Sequence, residues 1–143
     1  MSGFSTYLDD KIINHVFKGE AYTPPTKYLA LFRQSTGLQT NSGFASFELG
    51  SSDGDYARVA LVDSMWASSS NGANYNTEEL AFPIATTDWG EVTHVGIMDA
   101  ATGGNCIAWG ALANPVTGEA EGRNVEVGDQ LVIRVNSLTI TLA

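Results

Sequence analysis

The sequence predicts an all-β fold: an antiparallel β-sandwich, or a barrel-like variant of one, with about eight strands and one short N-terminal α-helix. Three observations predict it. Short apolar and aromatic runs recur along the chain, separated by turns rich in Gly, Asn, Asp and Ser, residues that tolerate positive φ or bond their own backbone. Only one stretch, near the N-terminus, has helical apolar periodicity. Charged residues make up 16% of the chain and there are 15 glycines, which matches a β-domain with a largely uncharged polar surface.

The helix is expected over residues 5–18. Ser5 is placed to cap it, and Asp9 and Asp10 fall in the first turn, where acids oppose the helix dipole. Leu8, Ile12 and Val16 recur at four-residue spacing with Ile13 and Phe17 beside them. Gly19 and then Pro24-Pro25 stop it. Such a helix either caps an open end of the core or reaches out to a neighbouring subunit.

Lys27–Phe32 is the first strand; both of its alternating faces are apolar, as in a central, covered strand. Phe44 to Leu49 reads as a short strand or an extended loop. Tyr56–Val62 follows, with Arg58 on the face of Tyr56 and Ala60, and Met65-Trp66 extending it. Asn74–Phe82, Glu91–Asp99, Asn105–Leu112, Gln130–Val135 and Leu138–Leu142 complete the set. Asp99 to Asn105 is a hairpin turn and Asn136-Ser137 a tight one. With no internal repeat or linker, residues 1–143 are expected to be one domain.

The balance of 7 Lys+Arg against 16 Asp+Glu gives a net charge of −9. A nucleic-acid groove needs a basic footprint and an anionic membrane surface attracts basic segments, so neither partner is expected. The N-terminus lacks the basic and apolar regions of a signal peptide, and no apolar run approaches the ~20 residues of a membrane span, so synthesis in a cytosol without the usual secretion route is expected. Cys106, the single cysteine, lies in an apolar run and is read as a buried small hydrophobe.

Several residues invite a chemical reading. His94, with Asp88, Glu91 and Asp99 nearby in sequence, suggests a metal site, but the spacing matches no zinc pattern, and a structural or interface role is expected. His15 is read as a helix residue facing packing or solvent. Ser52 to Asp55 places two carboxylates at Asp-x-Asp spacing, as in calcium loops, without the longer ligand run. Gly103-Gly104 suits a hairpin better than a phosphate loop. No Gly-x-Ser-x-Gly elbow is present. Trp66, Trp89, Trp109, Tyr56 and Tyr75 could stack on sugars, but packing is the commoner fate of aromatic residues. No catalytic, cofactor-binding or metal residue is therefore assigned.

The runs Ile13 to Phe17, Ala21 to Pro25 and Tyr28 to Phe32 resemble the opening of small tailed-bacteriophage virion proteins commonly labelled phage tail fiber proteins. Tyr56-Ala57-Arg58, Phe82 to Gly90, Thr93 to Asn105, Val127 to Asp129 and Leu138 to Leu142 continue the resemblance. It departs at Asn136-Ser137, where that family carries a glycine. The resemblance implies a virion structural role, an all-β domain, and no enzymatic activity or cofactor. The expected function is self-assembly and docking on major capsid or tail proteins, as a capsid decoration (cement) or tail-associated component built in the bacterial host cytoplasm. A homo-oligomer of closed symmetry, a trimer, is expected, with the helix or the loops between Gln34 and Asp55 as contact arms. The alternative is a host-recognition module that binds a surface glycan or receptor.

Overall fold

A computed structural model describes residues 2–142. Its centre is a five-stranded antiparallel sheet in the order β1-β8-β7-β2-β3. These strands are β1 (Ser2–Phe4), β2 (Lys27–Phe32), β3 (Val59–Leu61), β7 (His94–Met98) and β8 (Cys106–Ala111). The all-β expectation holds, and β2 runs over the expected residues between β7 and β3.

Period-two alternation gives this sheet two apolar faces. On one face Leu29, Leu31, Val95 and Ile97 join Leu80, Phe82, Trp89, Val92 and Leu131 in the larger core. On the other, Ala30, Phe32, Met98, Cys106 and Trp109 pack under Leu38 and Phe44 of the loop after β2. Between β7 and β8 the register shifts: Ile97 faces Ala108 and Met98 faces Cys106. Ile107 is thus the extra residue of a bulge, which turns both it and Ala108 into the larger core.

The layer over that core is built from three two-stranded antiparallel ladders. They are β4 (Ala73–Tyr75) with β11 (Thr139–Thr141), β5 (Leu80–Ala81) with β10 (Val132–Ile133), and β6 (Gly90–Val92) with β9 (Arg123–Val125). The run expected as one strand at Asn74–Phe82 therefore breaks in two, because buried Asn76 replaces the ladder with side-chain bonds. Its Nδ2 donates to the carbonyls of Glu78 and Arg134, and its Oδ1 accepts from Leu138 N–H. Glu91–Asp99 breaks at Thr93, where the chain crosses from the covering layer into the main sheet. Thr93 N–H and Oγ1–H donate to the carbonyls of Phe32 and Arg33. Asn136 does take the left-handed conformation, at φ 66°. The strands on either side of that turn diverge to different partners, β5 and β4.

Smaller differences have local causes. Ala45–Phe47 is a 3₁₀ turn, and only Glu48 after it bridges to β2. Asp63–Met65 is a second such turn and ends β3 early. β1 and β9 are three residues each, too short to show a period.

The helix begins as expected. Ser5 is buried, accepts from Leu8 N–H and donates to the Cys106 carbonyl, which fixes the helix start to β8. α1 runs Thr6–Ile13 with Asp9 in its first turn, and Asp10 falls just beyond that turn. It widens into a π-turn at Asn14–Lys18, and Gly19 ends it at φ 74°. The apolar stripe is only half covered: Tyr7 and Leu8 pack on the core, while Ile13, Val16 and Phe17 are 54%, 63% and 84% exposed.

Gly96 shows how tightly the smaller core is filled. A Cβ there would lie 2.9 Å from Cε2 of Phe32 and 3.4 Å from Sδ of Met98. Gly96→Ala should overpack the site and destabilise the protein by about 1–3 kcal/mol, read as a lower urea midpoint with unchanged m-value.

Candidate functional site

Tyr56, Arg58, Asp53 and Asp99 belong to internal clamps. The first joins Glu48, Tyr56 and Arg58. Arg58 forms a two-pronged ion pair with Glu48 (Nη2–Oε1 2.6 Å, Nε–Oε2 2.8 Å). Its Nη1 donates to the carbonyls of Ala100 and Gly103 in the β7–β8 turn. Tyr56 Oη donates to Glu48 Oε2 at 2.7 Å and accepts from Leu31 N–H. Burial and the Glu48 carboxylate push the Tyr56 phenol far above its ordinary value. Burial opposes the Arg58 charge, but the bonds to Glu48 outweigh it and hold the guanidinium above its usual range. Alternation places Tyr56 and Arg58 on one side, which is why the Tyr-Ala-Arg run works as a unit.

The second clamp holds Asp53 of the calcium-like loop. Asp53 Oδ1 receives Arg33 Nη2 at 2.6 Å, and its Oδ2 accepts Gly50 N–H. The same guanidinium nitrogen donates to the Trp89 carbonyl, and Trp89 Nε1 donates to the Gly54 carbonyl. A cationic side chain thus stands where a cation would have to sit. Asp55 is exposed, at φ 63°.

The third clamp is the Asp99 to Asn105 turn. Both Asp99 oxygens accept from Asn105, and Asn41 ties Asn105 to Cys106 N–H. Gly104, at φ 76°, has no room for a side chain: a Cβ would strike the Asp99 carboxylate and Ala100.

Each histidine is hydrogen-bonded within the chain. His94 Nδ1 bonds Thr93 Oγ1 at 2.7 Å, its ring lies beside Trp109, and burial lowers its pKa. Asp88 and Asp99 are each bonded to backbone elsewhere. His15 Nδ1 donates to the Glu20 carbonyl beyond the π-turn. Trp89 is 1% and Trp109 9% exposed, Trp66 is half-buried, and Tyr75 is the most open of the five aromatic residues considered for sugar stacking.

Cys106 is fully buried, and burial pushes its thiol from 9.0 up to about 12. A thiol reagent should leave native protein unlabelled and react fully in denaturant. A raised pKa adds stability that is intact below the unfolded value and lost as pH rises towards the folded one. Stability should therefore fall from about pH 9 towards 12. Cys106→Ala should delay that fall to about pH 10, where unfolded Tyr56 begins to ionise from its ordinary 10.0. Urea titrations at stepped pH check it.

Two surface features remain open. One is the apolar end of α1. The other is a cleft of about 800 Å³ between β7–β8 and the chain from β9 to β11. Val95, Ile97 and Ala108 form its floor, and Ile133, Leu138 and Ile140 its wall. Arg123 and Arg134 also line it. Past Ile140 the apolar space continues into a smaller pocket of about 370 Å³ that reaches Trp66. The buried Nε1–H of Trp66 has no acceptor among the described residues. The cleft leaves no local sign in the chain, since its walls come from β9, β10 and β11, each paired with a strand distant in sequence.

Buried polar side chains hold the loops in place, and apolar surface stays open at the end of α1 and in the cleft. The chain belongs to the Podophage GP4 fiber I protein gp80 family, whose model matches residues 3–141. It is a phage structural or tail-associated protein, from a family of the fiber type that the resemblance implied. Comparison with curated proteins gives no match.

Proposed function

We propose that this chain is a tail-associated structural component of the virion that acts as one domain, by docking on other virion proteins and on copies of itself, without catalysis or a cofactor. The observation that carries the reading is the apolar end of α1. Ile13, Val16 and Phe17 are 54–84% exposed at three- and four-residue spacing, whereas Arg58, Glu48, Arg33 and Asp53 are engaged in internal ion pairs. Single exposed apolar residues are ordinary, but a contiguous group marks a contact surface. The family's fiber description supports a tail position over capsid decoration. Assembly of a closed homo-oligomer in the host cytoplasm accords with the acidic charge, which keeps free copies apart.

Phe17→Asp should leave the melting temperature unchanged and lower incorporation into purified particles about tenfold or more, as measured by mass spectrometry, because burying a phenylalanine contributes about 1.5–3 kcal/mol. Equal incorporation of wild type and variant would sink the proposal.

A second reading is recognition of a host glycan or receptor, favoured by the fiber description and by exposed Tyr75. Binding on a glycan array that Tyr75→Ala abolishes would establish it.

A further inference from the structure

We infer that Asn71-Gly72 is a spontaneous modification site, at which the chain converts its own asparagine into a mixture of aspartate and isoaspartate. The pair forms the tip of a two-residue hairpin. Asn71 lies at φ 53° and Gly72 at φ 74°, the two positive values that a type I′ turn needs. Ser70 and Ala73, on either side, exchange both backbone hydrogen bonds. Residues 68–72 are all exposed.

The chemistry uses the chain and solvent water alone. The Gly72 backbone nitrogen attacks Cγ of Asn71, and a cyclic imide forms. The Cγ–Nδ2 bond breaks, and Nδ2 leaves as ammonia with the proton of the Gly72 nitrogen. Water then adds to either imide carbonyl. Opening on one side gives aspartate. Opening on the other gives isoaspartate, whose backbone runs through Cβ and Cγ and is one carbon longer. Glycine favours the attack because it has no side chain to crowd the nitrogen.

What singles out Asn71 is the nitrogen that follows it. Gly72 N–H has no acceptor among the described residues. Asn41 and Asn136 are the nearest competitors, also left-handed at φ 53° and 66° and each followed by a serine. Their nucleophiles are engaged: Ser42 N–H donates to the Gly37 carbonyl at 3.0 Å, and Ser137 N–H to the Arg134 carbonyl at 3.1 Å. Asn105 precedes Cys106, whose N–H donates to Asn41 Oδ1. Asn114 precedes Pro115, which has no N–H to give. The attack requires the turn to open. Among the described residues the tip is held by the Ser70–Ala73 pair and by Leu142 N–H on the Gly72 carbonyl. Exposed tips of this kind open at low cost. The product then acts on the covering layer. An extra backbone carbon in a two-residue turn disrupts the Ser70–Ala73 pair and moves the Gly72 carbonyl away from Leu142. The start of β4 and the end of β11 loosen as the protein ages, and the chain gains one negative charge.

The test is timed incubation of the full native chain at physiological temperature, followed by digestion and mass spectrometry. The mass gain of an amide turned to an acid should arise first at Asn71, in two peptides of different retention. It should rise faster in mildly alkaline buffer, because the attacking nitrogen must lose its proton. Asn41 and Asn136 should stay unchanged in the native chain and begin to react in denaturant, where their following N–H groups are released. The isoaspartate fraction should unfold at a lower urea midpoint than fresh protein. Asn71→Gly keeps a Gly-Gly pair suited to the same turn and should lose the mass gain in that peptide altogether. An Asn71 that stays intact in the native chain, or equal rates at Asn71, Asn41 and Asn136, would overturn the inference.

Discussion

Arg58→Met should lower the melting temperature by roughly 10–20 °C. The Arg58 side chain is 4% exposed and that of Glu48 13%, so the substitution strands a carboxylate away from water. Removing one partner of a buried ion pair costs about 3–5 kcal/mol. Each kcal/mol shifts the melting temperature by roughly 2–8 °C, depending on domain size. Two further losses push the same way: Arg58 also holds the carbonyls of Ala100 and Gly103, and Tyr56 would share its hydrogen bond with an unneutralised Glu48. Glu48→Gln should be milder, because the amide still accepts from Arg58 and Tyr56. The double change Arg58→Met with Glu48→Met should recover much of the loss, since two apolar side chains leave no buried charge behind. A double-mutant cycle by calorimetry gives the coupling, and additive single effects would show that the ion pair does not hold the β7–β8 turn.

Trp89→Ala should be nearly as damaging. The indole is 1% exposed, meets Tyr56 edge-on at 5.7 Å and donates to the Gly54 carbonyl. Truncating a fully buried tryptophan to alanine costs about 3–5 kcal/mol. The cavity would open beside the Asp53–Arg33 pair, whose guanidinium also bonds the Trp89 carbonyl. Trp89→Phe keeps most of the packing and loses only the indole donor, so it should cost about 1–2 kcal/mol. Urea unfolding checks both, and equal losses for the two variants would mean that the hydrogen bond, not the packing, dominates at this position.

These residues show which parts of the fold could be read in the chain. Local signals were legible: Ser5 and Gly19 bound the helix, Lys27–Phe32 alternates on both faces, and Asp99 to Asn105 has the composition of its turn. The breaks at Asn76 and Thr93 were not, because the alternation continues through both. What breaks the strands is a partner far away: the Arg134 carbonyl and Leu138 N–H for Asn76, the Phe32 and Arg33 carbonyls for Thr93. Ion pairing is equally silent in sequence. Arg33 finds Asp53, and Arg58 finds Glu48, across loops whose path only the folded sheet determines. Of the two open surfaces, the helix end was visible as the far half of an apolar stripe, read as capping the core or reaching a neighbour. The cleft was invisible because it is bounded by ladders joining residues 73–81 to 132–141.

The central claim is that this chain is a virion component held in place through the apolar end of α1. Density for the purified phage particle tests it directly. The predicted result is the five-stranded sheet and its covering ladders located in the tail, with Ile13, Val16 and Phe17 covered by another protein chain. A particle that lacks the chain, or one in which that helix end faces solvent in every copy, would contradict it.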